Sequence, residues 1–309
     1  MTTSEGTIRP IVVGVDGSPS SEAALDWAAT QAAAEAVPLV LLTAVSTPAP
    51  QSAAWLTAHG IDPGHLRVQL KEEARALLRR CDDRLRETHP DLVVQHDVQC
   101  TDPRDALLDA DTDLLVVGTR GLGPVSRLLL GSVASSVVKH ATSPIVVVRP
   151  VAQSPAGEGV VVGVAGDAGD AGVVDLAFRV AAARGLPVTA FHGFWDVVGP
   201  DDRRDVAADE PGYADQWGLV ADAVASAAAR YPDVAVRHQL SRGFADERLI
   251  RASRSAELLV VGHRRKPFLN ELVYGSVAPH VVEHAHCSVA VVPYQEQDPP
   301  PEDQTQRLP

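Results

Sequence analysis

Four small residues lie at fixed spacing in the stretch GTRGLGPVSRLLLGS, which starts at Gly118 and ends at Ser132. Gly121 and Gly131 complete the pattern G-x2-G-x9-G-S, directly after the apolar run DLLVV. Glycine allows positive φ angles and lets backbone amides approach a ligand without a Cβ in the way. Ser132 is placed to cap a helix predicted over 132–140, whose first amides and dipole attract phosphate. The spacing therefore predicts a phosphate-binding loop.

A second polar position follows the first apolar run of the chain. The segment VGVDGS places Gly14, Val15 and Asp16 at the end of a predicted strand. A carboxylate at such a position accepts hydrogen bonds from ribose hydroxyls in dinucleotide-binding folds. Val45, at the end of the next predicted strand, is placed to line an adenine slot. The alternative interpretation is that these glycines only make tight turns in an α/β domain.

The elements that must position these residues are short β-rich runs that alternate with longer helical patterns. Runs such as LLVV and IVVV do not alternate apolar with polar residues, as expected for strands covered by helices on both faces. Ser18 followed by Pro19 is a typical helix start. Such sheets bind ligands beyond the carboxyl ends of strands, where the winding direction reverses. In the first half we predict strands over 9–15, 39–45, 92–98, 113–117 and 145–148, and helices near 19–35, 64–88, 103–110 and 132–140.

The chain contains the same kind of domain twice. IVVGVDGSPSSEAALDWAA resembles the later VVVGVAGDAGDAGVVDLAF, DLLVVGTRG resembles ELLVVGHRR, and LLLGSVASSVVKHATSPIVVV resembles ELVYGSVAPHVVEHAHCSVAVV, in the same order. The predicted fold class is α/β, with two tandem, doubly wound, Rossmann-like domains of five parallel strands each. The predicted boundaries are 1–150 for the first domain, 151–159 for a linker, 160–294 for the second domain and 295–309 for a disordered tail.

The second copy departs from the pattern at two of its key positions. Arg265 replaces the second glycine of the loop, and Ala165 stands where the first copy has its aspartate. Gly262 and the pair Gly275–Ser276 are retained. The basic run HRRK, residues 263–266, is interpreted as a solvated loop. We therefore expect one nucleotide per chain, bound in the first domain, and a second domain that serves assembly.

Composition narrows the class of protein. The 309 residues carry a formal net charge of −13 without an evident basic face, which argues against nucleic-acid and acidic-membrane partners. Cys81, Cys100 and Cys287 are too widely spaced for a zinc ribbon or a disulfide framework. No apolar run approaches the roughly 20 residues of a membrane span, and the N-terminus does not read as a signal peptide. We expect a soluble, cytoplasmic protein.

Catalytic and metal-binding patterns are weak. HVVEHAHC places His280 and His284 one helical turn apart, followed by His286 and Cys287, but no distant third ligand accompanies them. Residues 118–132 lack the lysine of a P-loop, and the chain has no G-x-S-x-G motif. We expect no metal site formed by protein side chains, no catalytic residue, and at most slow hydrolysis of a bound nucleotide.

On the basis of these motifs, the chain resembles tandem universal stress proteins of the kind common in actinobacteria, over nearly all of residues 8–294. The family's ATP-binding pattern is G-x2-G-x9-G-[ST], which GTRGLGPVSRLLLGS satisfies in full. The resemblance implies an ATP-binding stress-response regulator, with ATP accompanied by Mg²⁺, rather than a high-turnover enzyme. By position it implies that Asp16 holds the ribose and that Val45 and Val117 hold the adenine. The phosphates would be held by Gly118, Gly121, Gly131, Ser132 and Val133, with Arg120 as a helper.

The resemblance also implies dimerisation through the last strand of each domain. Residues 145–148 and 289–292 are expected to pair within one chain as an intrachain pseudo-dimer, and we also expect a homodimer of chains. Two other classes of function stay open: a slow ATPase or autophosphorylating enzyme, and an adaptor that binds no nucleotide. The motif does not distinguish ATP from AMP or cyclic AMP, and the sequence names no protein partner.

Overall fold

The computed structural model describes residues 9–46, 50–121, 130–150, 159–167, 169–195, 205–265 and 277–295. Most of the predicted linker and all but the first residue of the predicted tail lie outside these ranges. Also outside them are residues 122–129 of the predicted phosphate-binding stretch and residues 275–276 of the second copy. The described residues contain ten strands and nine helices, which alternate along much of the chain.

The first half follows the predicted order of elements. Helix α1 begins at Pro19 because Ser18 caps it, with Ser18 Oγ accepting a hydrogen bond from the Ser21 amide at 3.2 Å. One helix, α2, was not predicted. The bounds are β1 (Ile11–Gly14), α1 (Pro19–Glu35), β2 (Leu39–Ala44), α2 (Pro50–Ala58), α3 (Pro63–Thr88), β3 (Val94–Gln99), α4 (Pro103–Leu108), β4 (Leu114–Gly118), α5 (Ser132–His140) and β5 (Ile145–Val148).

The second half repeats this alternation. Helix α6 is capped at its C-terminus by Gly185, whose left-handed conformation (φ 64°) lets its amide bond back to the last turn. None of the described helices is both long and apolar enough to cross a membrane. The bounds are β6 (Val160–Gly163), α6 (Asp170–Arg184), β7 (Val188–Phe194), α7 (Ala214–Arg230), β8 (Val236–Arg242), α8 (Ala245–Ala252), β9 (Leu258–Arg265), α9 (Val277–His284) and β10 (Ser288–Gln295).

All ten strands form one sheet, in the order β3-β2-β1-β4-β5-β10-β9-β6-β7-β8. Within each half the five strands are parallel, which confirms the predicted fold class. The halves meet where β5 and β10 run antiparallel, with Val146 opposite Ala290 and Val147 opposite Val289. The expected pairing of these strands within one chain is therefore present.

Two apolar layers cover the sheet, and each contains residues of both halves. Val146 and Ala290 belong to the layer that includes buried residues of α1 and α6. Val147 and Val289 belong to the other layer, with buried residues of α5 and α9. All four side chains are buried. Burial on both faces explains why IVVV lacks polar alternation.

Helix α1 of the first half also contacts α6 of the second half through the half-buried Arg184. The Arg184 guanidinium lies 4.4 Å from the centroid of the Trp27 ring and donates to Gln31 Oε1 at 2.7 Å. It also forms an ion pair with Glu257 at 3.1 Å. Burial lowers the pKa of Arg184, and the hydrogen bond to Glu257 opposes that shift. Contacts outside the strand ladder therefore add to the association of the two halves.

Replacing Arg184 by alanine should destabilise this interface. The change removes the cation–π contact and leaves Gln31 and Glu257 without their shared partner, at a cost of about 2–4 kcal/mol. Arg75→Ala removes an exposed pair with Glu72 and should cost at most about 1 kcal/mol. Urea unfolding monitored by circular dichroism compares the variants. Equal midpoints would show that the Arg184 contacts add nothing to stability.

Candidate functional site

The predicted site residues lie where the sheet of the first half changes its winding direction. Strand β1 lies between β2 and β4, and all three are parallel, so their carboxyl ends share one edge of the sheet. Gly14 and Gly118 are the last residues of β1 and β4, and Val45 directly follows β2. The structure thus brings the two predicted loops together at the kind of crevice that binds ligands in doubly wound sheets.

The three apolar residues predicted at this crevice differ in exposure. Val15 and Val117 are each only 4% exposed and belong to the core. Val45 is half-buried, and its amide donates to the Gln99 carbonyl at 2.8 Å. Of the three, Val45 therefore offers the most surface to a ligand, while Val15 and Val117 support the crevice from below.

Asp16 and Gly121 approach each other across the crevice. Both residues are exposed. Asp16 Oδ1 accepts a hydrogen bond from the Ser18 amide at 2.9 Å, which orients the carboxylate at the start of α1. A Cβ at Gly121 would collide with Asp16 Oδ2. The two loops are therefore so close that only glycine fits opposite Asp16 without displacing its carboxylate.

The loop glycines are required here for their small size rather than for the positive φ angles that glycine allows. Neither Gly118 nor Gly121 has a positive φ. At Gly118 a Cβ would lie 2.5–2.6 Å from the backbone and hydroxyl of Ser20. The left-handed residue of this crevice is Gly17 (φ 80°), which the sequence reasoning missed, and Gly166 (φ 84°) repeats it in the second half.

Gly131, and not Ser132, is the N-cap of α5, which corrects the predicted role of Ser132. Ser132 is the first helical residue and is exposed. The Gly131 amide donates to the Thr119 carbonyl at 2.8 Å, and a Cβ at Gly131 would lie 3.2 Å from that oxygen. Because glycine has no side chain to cap the helix, the first amides of α5 keep their affinity for an anion. Val133 follows and is half-buried.

Side chains from the first turn of α1 contact the residues that follow β4. Ser20 Oγ accepts a hydrogen bond from the Arg120 amide at 3.3 Å and shares another with the Thr119 hydroxyl at 3.2 Å. Ser18 Oγ donates to the Arg120 carbonyl at 3.3 Å. Arg120 is half-buried. Sequence reasoning identified Ser18 only as a helix cap and missed Ser20 and Thr119, because their contacts span about a hundred residues and leave no local signal.

In the second half, protein atoms fill the equivalent crevice. Strand β9 has eight residues where β4 has five, and its last residues pair with β10. Residues 263–265, expected in a loop, are therefore part of a strand. The Tyr294 ring packs against Gly169 and Gly262. A Cβ added at Gly169 would lie 2.6–2.7 Å from the ring, and one added at Gly262 would lie 3.0 Å from it. Tyr294 donates its hydroxyl hydrogen to Asp167 at 3.0 Å, and burial raises its pKa.

Carboxylates bind the backbone amides at this second crevice. Asp170 is buried and accepts hydrogen bonds from the amides of Ala165 at 2.9 Å and Gly166 at 2.7 Å. Burial raises the pKa of Asp170, while these two hydrogen bonds oppose the shift. Asp167 accepts a further bond from the Gly169 amide at 2.8 Å. An anionic ligand would thus meet two carboxylates where the aligned positions of the first copy are serines.

The histidine-rich segment at α9 forms a stacked pair. The rings of His280 and His284 lie 4.3 Å apart, and His280 Nε2 is 3.9 Å from the Asp246 carboxylate. Burial raises the pKa of the Cys287 thiol to about 12, so it is not a thiolate at neutral pH. Within the described residues, no group of three or more histidine, cysteine, aspartate or glutamate side chains is arranged to hold a metal ion.

Comparison with known proteins identifies the family. The model of the universal stress protein family matches residues 7–149 and again residues 158–293. The chain belongs to the universal stress protein family. A universal stress protein of Mycolicibacterium smegmatis is 32% identical over 297 residues, which cover 91% of this chain and 96% of that protein. A universal stress protein of Mycobacterium tuberculosis is 32% identical over 300 residues, which cover 91% of this chain and 95% of that protein.

The fold also matches a solved structure. The crystal structure of a universal stress protein from Archaeoglobus fulgidus covers 93% of this chain and 99% of its own chain, with a TM-score of 0.69. Its sequence is only 15% identical, so the likeness concerns the fold alone. The two family matches within one chain agree with the two five-stranded halves of the sheet.

The contacts of the glycines predict different effects on stability. Gly118→Ala should cost about 1–3 kcal/mol, because its Cβ would press on the Ser20 backbone. Gly121→Ala should cost less, since it meets only the end of the Asp16 side chain. Gly218→Ala, a control within α7 with no neighbouring atom within 4 Å, should stabilise by about 0.5–1 kcal/mol. Thermal unfolding ranks the three variants. A Gly118→Ala protein as stable as Gly121→Ala would contradict this packing.

Proposed function

We propose that the first domain binds ATP together with Mg²⁺, and that the protein is a nucleotide-dependent regulator in the stress response. The observation that carries the proposal is the close approach of Asp16 to Gly121 at the crevice between β1 and β4. A carboxylate there suits ribose hydroxyls, and the glycine-capped start of α5 suits phosphates. Membership of the universal stress protein family supports the regulatory role.

The described residues fit an adenine nucleotide in their chemistry. Asp16 would accept hydrogen bonds from the ribose, and the half-buried Val45 would contact the adenine. Gly121 and Gly131 have no side chain, and a Cβ at either position would crowd neighbouring protein atoms. At these two positions the phosphates would therefore contact the backbone and not a side chain. The exposed Ser132 would add its amide and hydroxyl to the phosphate contacts. Bound Mg²⁺ would neutralise part of the phosphate charge.

The contents of the second crevice support one nucleotide per chain. Tyr294 lies against Gly169 and Gly262 there. The carboxylates of Asp167 and Asp170 already accept hydrogen bonds from the backbone amides of this crevice. A nucleotide would have to displace the tyrosine and then tolerate both carboxylates. The second domain would then contribute mainly to assembly through β10.

A regulatory role also fits what the phosphate-binding stretch contains. Residues 118–132 include no lysine that could neutralise charge during phosphoryl transfer. Fast turnover is therefore not part of the proposal. Because β5 and β10 already pair within the chain, a homodimer of chains would use a different surface.

Calorimetric titration of the nucleotide-stripped protein with MgATP tests the proposal. We expect one site per chain, a loss of binding in Gly121→Arg, and a roughly tenfold to 150-fold weaker Kd in Asp16→Ala, as for the loss of a charged hydrogen-bond partner worth about 1.5–3 kcal/mol. The control Asp26→Ala removes an exposed carboxylate of α1 that pairs with Arg84, and its Kd should stay within about twofold of the unmodified protein.

Other results of the same titration would redirect the assignment. Two sites per chain would contradict a closed second crevice. Tighter binding of AMP or cyclic AMP would replace ATP as the ligand, and rapid phosphate release abolished by Asp16→Ala would indicate an enzyme. No heat with any adenine nucleotide would overturn the proposal and favour an adaptor.

A further inference from the structure

We propose that Ser20 is a positioning residue that binds the β4 loop, residues 119–121, to helix α1 and thereby determines affinity for the phosphates of the nucleotide. The inference deepens the proposed function and rests on it. Neither the glycine spacing nor the position of Asp16 points to Ser20, which lies two residues beyond the cap of α1.

The Ser20 hydroxyl has two partners in the β4 loop. It accepts a hydrogen bond from the Arg120 amide at 3.3 Å and shares one with the Thr119 hydroxyl at 3.2 Å. Ser18 Oγ donates to the Arg120 carbonyl at 3.3 Å. Both backbone polar groups of Arg120, its amide and its carbonyl, are therefore bonded to the start of α1.

Packing leaves this contact little freedom. Ser20 is 8% exposed and Thr119 is 7% exposed, so water has little access to the hydrogen bond between their hydroxyls. Gly118 lies so close to Ser20 that even a Cβ would be 2.5 Å from its carbonyl oxygen. Thr119 also accepts the Gly131 amide on its carbonyl, at 2.8 Å. Ser20 thus connects, through one residue, to the start of α5 where the phosphates would bind.

The second half shows an alternative arrangement at the aligned position. Gly169 stands in the place of Ser20, so no hydroxyl is present there to bind residues 263–265, which align with the β4 loop. Residues 263–265 belong to β9 and pair with β10, and the Tyr294 ring lies against Gly169. Serine at this position therefore accompanies a β4 loop that leaves the sheet, and glycine accompanies a strand that stays in it.

Ser20 should affect the parts of the ligand unequally. The β4 loop and the start of α5 face the phosphates in the proposed site, whereas Asp16 and Val45 would bind the nucleoside. Loosening the loop raises the cost of ordering it around phosphate, but it leaves the nucleoside contacts in place. A purely structural role would instead weaken both ligands together.

Ser20→Ala and Thr119→Val remove one hydroxyl each and test this inference. In the ligand-free protein, hydrogen exchange of the Arg120 amide should accelerate about threefold to tenfold in Ser20→Ala, as expected for one lost hydrogen bond. Both variants should raise the Kd for MgATP by a similar factor of about threefold to tenfold. The Kd for adenosine should stay within about twofold of that of the unmodified protein. The control Ser253→Ala deletes another buried, hydrogen-bonded hydroxyl, from the second half, and should change none of these values.

The exchange and binding measurements separate two kinds of failure. Unchanged Arg120 exchange in Ser20→Ala, or equal weakening of ATP and adenosine, would overturn the role of Ser20. If Arg120 exchanges faster in Ser20→Ala but the unmodified protein does not bind ATP, the contact between Ser20 and the β4 loop stands and the proposed function is overturned.

Discussion

The antiparallel pairing of β5 with β10 is the contact on which the arrangement of the whole chain depends. It joins two parallel five-stranded sheets through strands that are buried on both faces. Unpaired, the run IVVV would present an apolar strand edge, which promotes association with other chains. Paired, it lets two apolar layers extend across both halves. Each half therefore covers the most apolar edge of the other, and Arg184 adds a polar contact between α1 and α6.

The direction of this pairing also separates the two crevices. β4 is parallel to β5 and β9 is parallel to β10, but β5 and β10 are antiparallel. Along the strand direction, the carboxyl ends of the strands in one half therefore lie at the opposite end of the sheet from those in the other half. A change in one crevice does not crowd the other, so the residues of one crevice can differ while the shared core remains. The differences at Ala165 and Gly169 are compatible with an intact fold for this reason.

Much of the fold could be predicted from local sequence signals. The Ser18–Pro19 pair gave the start of α1 correctly, and the uninterrupted run IVVV gave β5 at the predicted residues. Helix α2 was missed, since no cap or strong periodicity was recognised before Pro50. For the candidate site, spacing predicted the two loops that meet at the crevice. Of the two properties of glycine, the freedom of φ and the absence of a Cβ, only the second is used at Gly118 and Gly121. They are required by close packing against Ser20 and Asp16, which is a property of the folded chain rather than of the loop alone.

Residues that determine the difference between the crevices could not be predicted, because their contacts join distant parts of the chain. Ser20 contacts Thr119 across 99 residues, and Tyr294 contacts Asp167 across 127 residues. Small residues beside a helix start create space and amides that need a partner. In the second half, Tyr294 and two carboxylates supply that partner from within the protein. In the first half the serine hydroxyls instead bind residues 119–121 to the start of α1, so the same topology yields two crevices with different internal contacts.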